Sequence, residues 1–144
     1  MFFRQLDLKV FVADSPLRPQ DMADAVAREM TLVINNRPDG EAEDQFDSET
    51  LREAAEAAGL SYLHIPIAQE FSGSKVEALL EAMLAAEGQV LLACASGTRS
   101  TYLWALARAR QGMMVEGLAG AAARAGYNIG PILPWLRPRE APPG

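Results

Sequence analysis

Strand-like and helix-like runs alternate along this chain, and that alternation limits its fold more than any other feature. "KVFVAD" (9–14), "TLVINN" (31–36), "LSYLHIPI" (60–67) and "QVLLAC" (89–94) are short apolar runs of the kind that form buried strands. Amphipathic stretches separate them. "PQDMADAVAREM" (19–30) spaces Met22, Val26 and Met30 by four with Ala25 beside them, and Pro19 suits a first helical turn. "ETLREAAEAAG" (49–59) has Asp47 or Ser48 to cap it and Gly59 to end it. "SKVEALLEAMLAAEG" (74–88) carries a stripe of Val76, Leu79, Leu80, Met83 and Leu84. "STYLWALARARQG" (100–112) follows the last strand. Alternation of this kind implies parallel strands joined by right-handed crossovers. The expected architecture is one α/β domain: a central, mostly parallel sheet of four or five strands with helices on both faces.

A last helix of small residues, "MVEGLAGAAARAG" (114–126), holds Gly117 and Gly120 inside it. Beyond it, "PILPWLRPREAPPG" is expected to pack through Ile132, Leu133, Trp135 and Leu136. The domain is therefore drawn at 1–136 and a proline-rich tail at 137–144. At 144 residues the chain suits one compact domain with a real core.

The fourth strand ends on Cys94, the only cysteine in the chain. "CASGTRS" (94–100) then leads into a helix. In an open α/β sheet, ligands sit beyond the carboxyl ends of the strands. Unpaired N–H groups at the start of the following helix favour negative charge there, and the same field lowers a thiol's pKa. Gly97 lets the chain curl so that the N–H groups of Ala95, Ser96, Gly97 and Thr98 turn inward. Arg99 offers a planar fork for two oxygens of a phosphate or sulfur oxyanion. Ser100 and Thr98 add hydroxyls. The pattern is that of a thiolate beside an oxyanion cradle.

Composition excludes other chemistries. One cysteine allows neither an internal disulfide nor a multi-thiolate metal site, and one histidine leaves little for a zinc site or a Ser-His-Asp triad. A formal charge of −6 disfavours a nucleic-acid groove. No apolar stretch approaches the roughly 18 to 20 residues of a membrane span, and "MFFRQLDLKVFV" lacks the apolar centre of a signal peptide. A free thiol fits a reducing compartment, so the expected location is the cytoplasm. No metal, cofactor, nucleic acid or membrane partner is expected.

Four segments, "NNRPDGE" (35–41), "AAGLSYLHIPI" (57–67), "CASGTRSTYLWAL" (94–106) and "AGYNI" (125–129), resemble in order those of the bacterial beta-lactamase-hydrolase-like protein family, phosphatase-like domain. The likeness runs from about residue 10 to about residue 130. It implies the fold of dual-specificity and tyrosine phosphatases, a cysteine-phosphatase-like domain; some members are called sulfur transferases. Carried over residue by residue, it implies Cys94 as nucleophile, the 95–99 backbone as anion cradle, Arg99 as clamp and Ser100 as the hydroxyl that follows the phosphatase arginine. The implied reaction is phosphomonoester hydrolysis through a phosphocysteine.

This chain departs from the broader phosphatase pattern in three places. Four residues, not five, separate Cys94 from Arg99, as in rhodanese sulfurtransferases. Ala93 stands where phosphatases usually have a histidine, and the loop expected to carry an acidic proton donor reads Ala68-Gln69-Glu70. Glu70 is the candidate replacement acid, set against a plain solvated glutamate. The expected function is a phosphatase-like hydrolase. A rhodanese-like sulfurtransferase carrying a Cys94 persulfide is the first alternative, and a non-catalytic anion-binding or redox-sensing module the second. The partner is then a small anionic or phosphorylated substrate, or a sulfane-sulfur donor.

Arg37 and Asp39, after the second strand, fall on the same sheet edge as Cys94. They are candidate substrate contacts, weighed against a turn, "RPDG", built on Pro38 and Gly40. Asn35 and Asn36 are expected to bond that turn's backbone. His64 reads as a hydrogen-bonded residue within its strand, Tyr102 and Trp104 as packing of helix on sheet, and Glu41 to Glu49 as a solvated acidic face.

Overall fold

The four apolar runs all become strands, and a fifth, not singled out in the sequence, joins them at one edge. A computed structural model describes residues 3–136. In chain order the elements are β1 (Phe3–Gln5), β2 (Val10–Ala13), α1 (Asp21–Ala27), β3 (Met30–Asn35), α2 (Ser48–Ala57), β4 (Ser61–His64), α3 (Gly73–Ala85), β5 (Gln89–Ala93), α4 (Thr98–Arg110) and α5 (Val115–Ala125), then a 3-10 turn (Gly130–Ile132) and α6 (Leu133–Leu136). The sheet order is β1-β2-β5-β3-β4. Only β1 runs antiparallel, pairing Phe3 with Ala13. The proline-rich tail drawn at 137–144 lies outside the described residues.

Alternate side chains of the central strands feed two cores. Leu32, Ile34, Val90 and Leu92 face α3, α4 and α5 in one cluster with Leu79, Met83, Leu103, Trp104 and Leu118. Val33, Leu91 and Ala93 face the other way, onto Met22, Ala25, Leu51 and Ala55 of α1 and α2. Each fully buried aliphatic side chain stabilises this arrangement by about 1.5–3 kcal/mol. Among the described residues no helix is long and apolar enough to cross a membrane.

Local chemistry explains where the elements stop. α1 ends early because Glu29 adopts φ 65°; the turn it makes puts Met30 into β3 instead of the helix. Asp47 caps α2 by accepting from the Thr50 N–H at 2.8 Å. β4 closes at His64 because Pro66 has no N–H to give, although Ile65 and Ile67 still donate to the carbonyls of Asn35 and Asn36 at 2.9 and 2.8 Å. His64 therefore ends its strand instead of lying within it. Val26 and Leu84, expected on buried stripes, are exposed, and so is Trp135, at 70%. The terminal packing rests on Ile132 and Leu136, both buried, with Leu133 against the same cluster.

The β1–β2 connection holds α4 in place. Asp7 Oδ1 accepts from the backbone N–H groups of Lys9 and Val10, both at 2.8 Å. Its Oδ2 accepts from Trp104 Nε1 at 2.7 Å and Arg108 Nε at 2.9 Å. Burial pushes the Asp7 pKa up, but the bonds from Trp104, from the Lys9 amide and from Arg108 outweigh it and leave it below the ordinary 3.8. A carboxylate with a depressed folded pKa stabilises the fold above its unfolded pKa, and that contribution fades as pH falls through the folded value. Asp7→Ala, which strands the Trp104 N–H, is expected to cost about 2 kcal/mol in urea unfolding at pH 7. Asp7→Asn should give a flatter loss of stability below pH 4 than the native protein shows.

Candidate active site

Because β5 lies between β2 and β3, three strand ends converge on the residues that follow it. Cys94, immediately after β5, is buried at 2% exposure. Gly97 adopts φ 95° at the cap of α4, which begins at Thr98, two residues earlier than its sequence pattern suggests. Arg99 and Ser100 thus stand in the first turn of the helix. Gly97 can take this conformation at no steric cost. A Cβ there would also lie 2.2 Å from the Tyr127 hydroxyl and 2.9 Å from the Ala13 carbonyl oxygen. The Gly97 N–H points at Cys94 Sγ, 3.1 Å away. Ser96 and Thr98 meet through their hydroxyls at 3.2 Å on the outer rim.

Two opposing effects act on the thiol. Burial pushes its pKa up, while the backbone N–H and hydroxyl of Ser100 and then the N–H groups of Gly97 and Ser96 push it down, and the net is a pKa below the ordinary 9.0. The buried Ser100 hydroxyl has one proton and two claimants. It donates to Asn36 Oδ1 at 2.8 Å, and the neighbouring sulfur competes for it once charged. Asn36 is held from the other side, its Nδ2 donating to the Ile65 carbonyl at 3.0 Å. It therefore ties the end of β3 to both β4 and α4, a wider task than bonding its own turn. Asn35 does serve the turn, its Oδ1 accepting from the Arg37 N–H at 2.9 Å.

Arg99 is gripped along one edge. Its Nη1 donates to Glu41 Oε2 and to the Ile67 carbonyl, both at 2.8 Å, and its Nη2 to Glu41 Oε1 at 2.9 Å. A guanidinium has five N–H groups, so the Nε–H and the second Nη2–H remain. These two lie parallel on one side, the geometry that grips two oxygens of an oxyanion. Glu41 is held in turn by Arg37, whose Nε lies 3.1 Å from Oε1. The bond from Arg99 is the main reason the Glu41 pKa lies below its ordinary value, against a smaller upward push from burial.

The structure thus brings together Cys94, Ala95, Ser96, Gly97, Thr98, Arg99 and Ser100 as one loop, with Arg37 one carboxylate away. Asp39 is occupied otherwise: its Oδ1 accepts from the Ser48 N–H at 2.8 Å, fastening the turn to the start of α2. Glu70 is exposed on the segment after β4 and lines a groove with Phe71, Tyr102 and Trp135. His64 Nε2 lies 2.8 Å from the Arg37 carbonyl oxygen, so it supports the turn. Glu41 corrects the reading of Glu41 to Glu49 as a solvated face. Its signal was its place at the end of "NNRPDGE". The neighbours of the loop that sequence reasoning did not name as site residues are Glu41, Asn36 and Tyr127.

Two measurements follow from this geometry. The rate of Cys94 alkylation by iodoacetamide against pH should have its midpoint below that of a free cysteine thiol titrated alongside. Glu41→Gln, which keeps the shape and loses the charge, should weaken protection of Cys94 by inorganic phosphate about three- to tenfold. Tighter phosphate binding in that variant would instead make Glu41 a competitor for Arg99.

Comparison with known proteins agrees with the arrangement. A family model described as "Beta-lactamase hydrolase-like protein, phosphatase-like domain" matches residues 3–111. A beta-lactamase hydrolase-like protein of Xylella fastidiosa (strain Temecula1 / ATCC 700964) is 36% identical over 107 residues, 73% of this chain and 25% of that protein. The chain thus spans about a quarter of the length of that relative. Among solved structures, a candidate phosphatase of Neisseria meningitidis superposes with a TM-score of 0.82 at 30% identity, covering 92% of this chain and 94% of that one. A cysteine-to-serine variant of P. aeruginosa TpbA, in complex with pTyr, shares the fold at a TM-score of 0.61 and 18% identity, over 85% of this chain and 70% of that one. The sheet order, the helix-start loop and these matches agree: the chain belongs to the family of beta-lactamase hydrolase-like proteins, in their phosphatase-like domain.

Proposed function

We propose that this domain hydrolyses a phosphomonoester through Cys94. The observation that carries the reading is the Cys94 sulfur under the Gly97 N–H at 3.1 Å, with the free edge of Arg99 beside it at the start of α4. A phosphoryl group seated there would place its non-bridging oxygens on the loop N–H groups and on the Nε and Nη2 of Arg99, where developing charge is stabilised. The sulfur lone pair attacks phosphorus, the bond from phosphorus to the ester oxygen breaks, and that oxygen leaves as an alcohol or phenol after taking a proton. Glu70 is the candidate donor of that proton, a role worth about 10²–10⁴-fold. Water then attacks the phosphocysteine, the S–P bond breaks, and the thiolate returns with Ser100 beside it. Phosphotyrosine in the structure of TpbA makes an aryl phosphate the first substrate class to try. A free thiol suits the reducing cytoplasm, the location that belongs to this reading.

Sulfur transfer is the second reading, and the spacing of four residues between Cys94 and Arg99 favours it. There the outer sulfur of thiosulfate passes to Cys94 as its S–S bond breaks and sulfite leaves. Cyanide would then remove that sulfur as thiocyanate. No proton donor is required, which would leave Glu70 a surface residue.

Side-by-side assays separate the two. With an aryl phosphate between about pH 5 and 8, the protein should turn over, Cys94→Ser should be inert, and trapping should show a phosphoryl adduct on Cys94. Thiocyanate production with a Cys94 persulfide, and no phosphate release, would replace hydrolysis by sulfur transfer. Phosphate binding with no turnover in either assay would leave an anion-binding module.

A further inference from the structure

We propose that Tyr127 is a positioning residue for the cysteine loop: its hydroxyl holds the Ser96 carbonyl outward and so keeps the Gly97 N–H on Cys94 Sγ. The helix end that delivers this side chain is built for it. At the end of α5, Gly126 adopts φ 96°. Its N–H donates to the Ala123 carbonyl at 3.0 Å, and the Tyr127 N–H to the Ala122 carbonyl at 2.8 Å. That paired closure stops a helix and turns the next residue away from the helix axis. Arg4 secures the same end: its Nη1 donates to the Ala125 carbonyl and its Nε to Asp14 Oδ2, both at 3.2 Å.

Tyr127 then reaches across 31 residues of sequence to donate its O–H to the Ser96 carbonyl at 2.8 Å. Ser96 O and Gly97 N belong to one planar trans peptide, in which C=O and N–H point in opposite directions. Fixing the oxygen on the outside therefore aims the hydrogen at the sulfur 3.1 Å away. The close approach of the tyrosine to Gly97 leaves no room for a side chain there, as the 2.2 Å clash of a Cβ with its hydroxyl shows. A tyrosine can serve this way only while protonated. Burial, with Asp14 and Cys94 adding to it against Arg4, pushes its pKa up to about 12, so the donor persists through the working range. The groups that face the sulfur itself are Gly97, Ser96 and Ser100 as donors and the Arg99 guanidinium as both a charge and a donor.

The inference rests on Cys94 being an ionised nucleophile, and one titration separates the two. Iodoacetamide alkylation of Cys94 against pH is measured for native protein and Tyr127→Phe, with thermal melting as a check on folding. Loss of the donor should raise the midpoint by about half to one pH unit, slowing alkylation at pH 6 about three- to tenfold. A low native midpoint that Tyr127→Phe leaves in place overturns the positioning role alone. An ordinary native midpoint overturns the reading of the site. Should the variant fail to fold, the Gly97 amide proton in native protein decides by NMR. Its shift must follow the Cys94 titration, and a Gly97 amide indifferent to that titration overturns the proposal.

Discussion

Burial and charge pull Cys94 in opposite directions, and the way this conflict is resolved organises the whole carboxyl edge of the sheet. A sulfur at the end of an apolar strand, 2% exposed, loses the water that would solvate its anion. The offset comes from backbone N–H groups at the start of α4 and from Ser100. These donors work only if the chain curls tightly before the helix begins, which the positive φ of Gly97 allows. The helix in turn must start in the right place, and Asn36 fixes it there by joining Ser100 to β3 and β4.

Topology makes that convergence possible. β5 is the last strand in sequence yet lies inside the sheet, between β2 and β3. Its end is therefore flanked by Ala13 on one side and Asn36 on the other, with the Ile67 carbonyl close enough to take a bond from Arg99. The arginine is braced by Glu41 and the Ile67 carbonyl along one edge and left open along the other. A brace of this kind keeps a long, flexible side chain in one orientation, so less freedom would be lost on binding any ligand at its open edge.

What the sequence disclosed was what is local in it. Cys94, Gly97 and Arg99 lie within six residues, at a change from apolar run to helix, so their meeting follows from the backbone alone. The two-sided sheet was equally legible, because QVLLAC is apolar at every position but its first and must be covered on both faces. Glu41, Asn36 and Tyr127 lie in segments that carry the family likeness, but the bonds they make were not legible, since their partners stand 58, 64 and 31 residues away. β1 was missed because three residues broken by Arg4 carry too little pattern to be told from coil. Asp39 shows the same limit: its place on the sheet edge was legible, but the bond from the Ser48 N–H at the start of α2 to its Oδ1, nine residues on, was not.

The two tryptophans of the chain occupy opposite environments. Trp104 is wholly buried, five residues past Arg99 on α4 with its indole N–H on Asp7, whereas Trp135 is 70% exposed. The molecule therefore carries one shielded and one quenchable fluorophore. Iodide added to the solution would silence the outer indole and leave an emission that comes from the helix bearing Arg99.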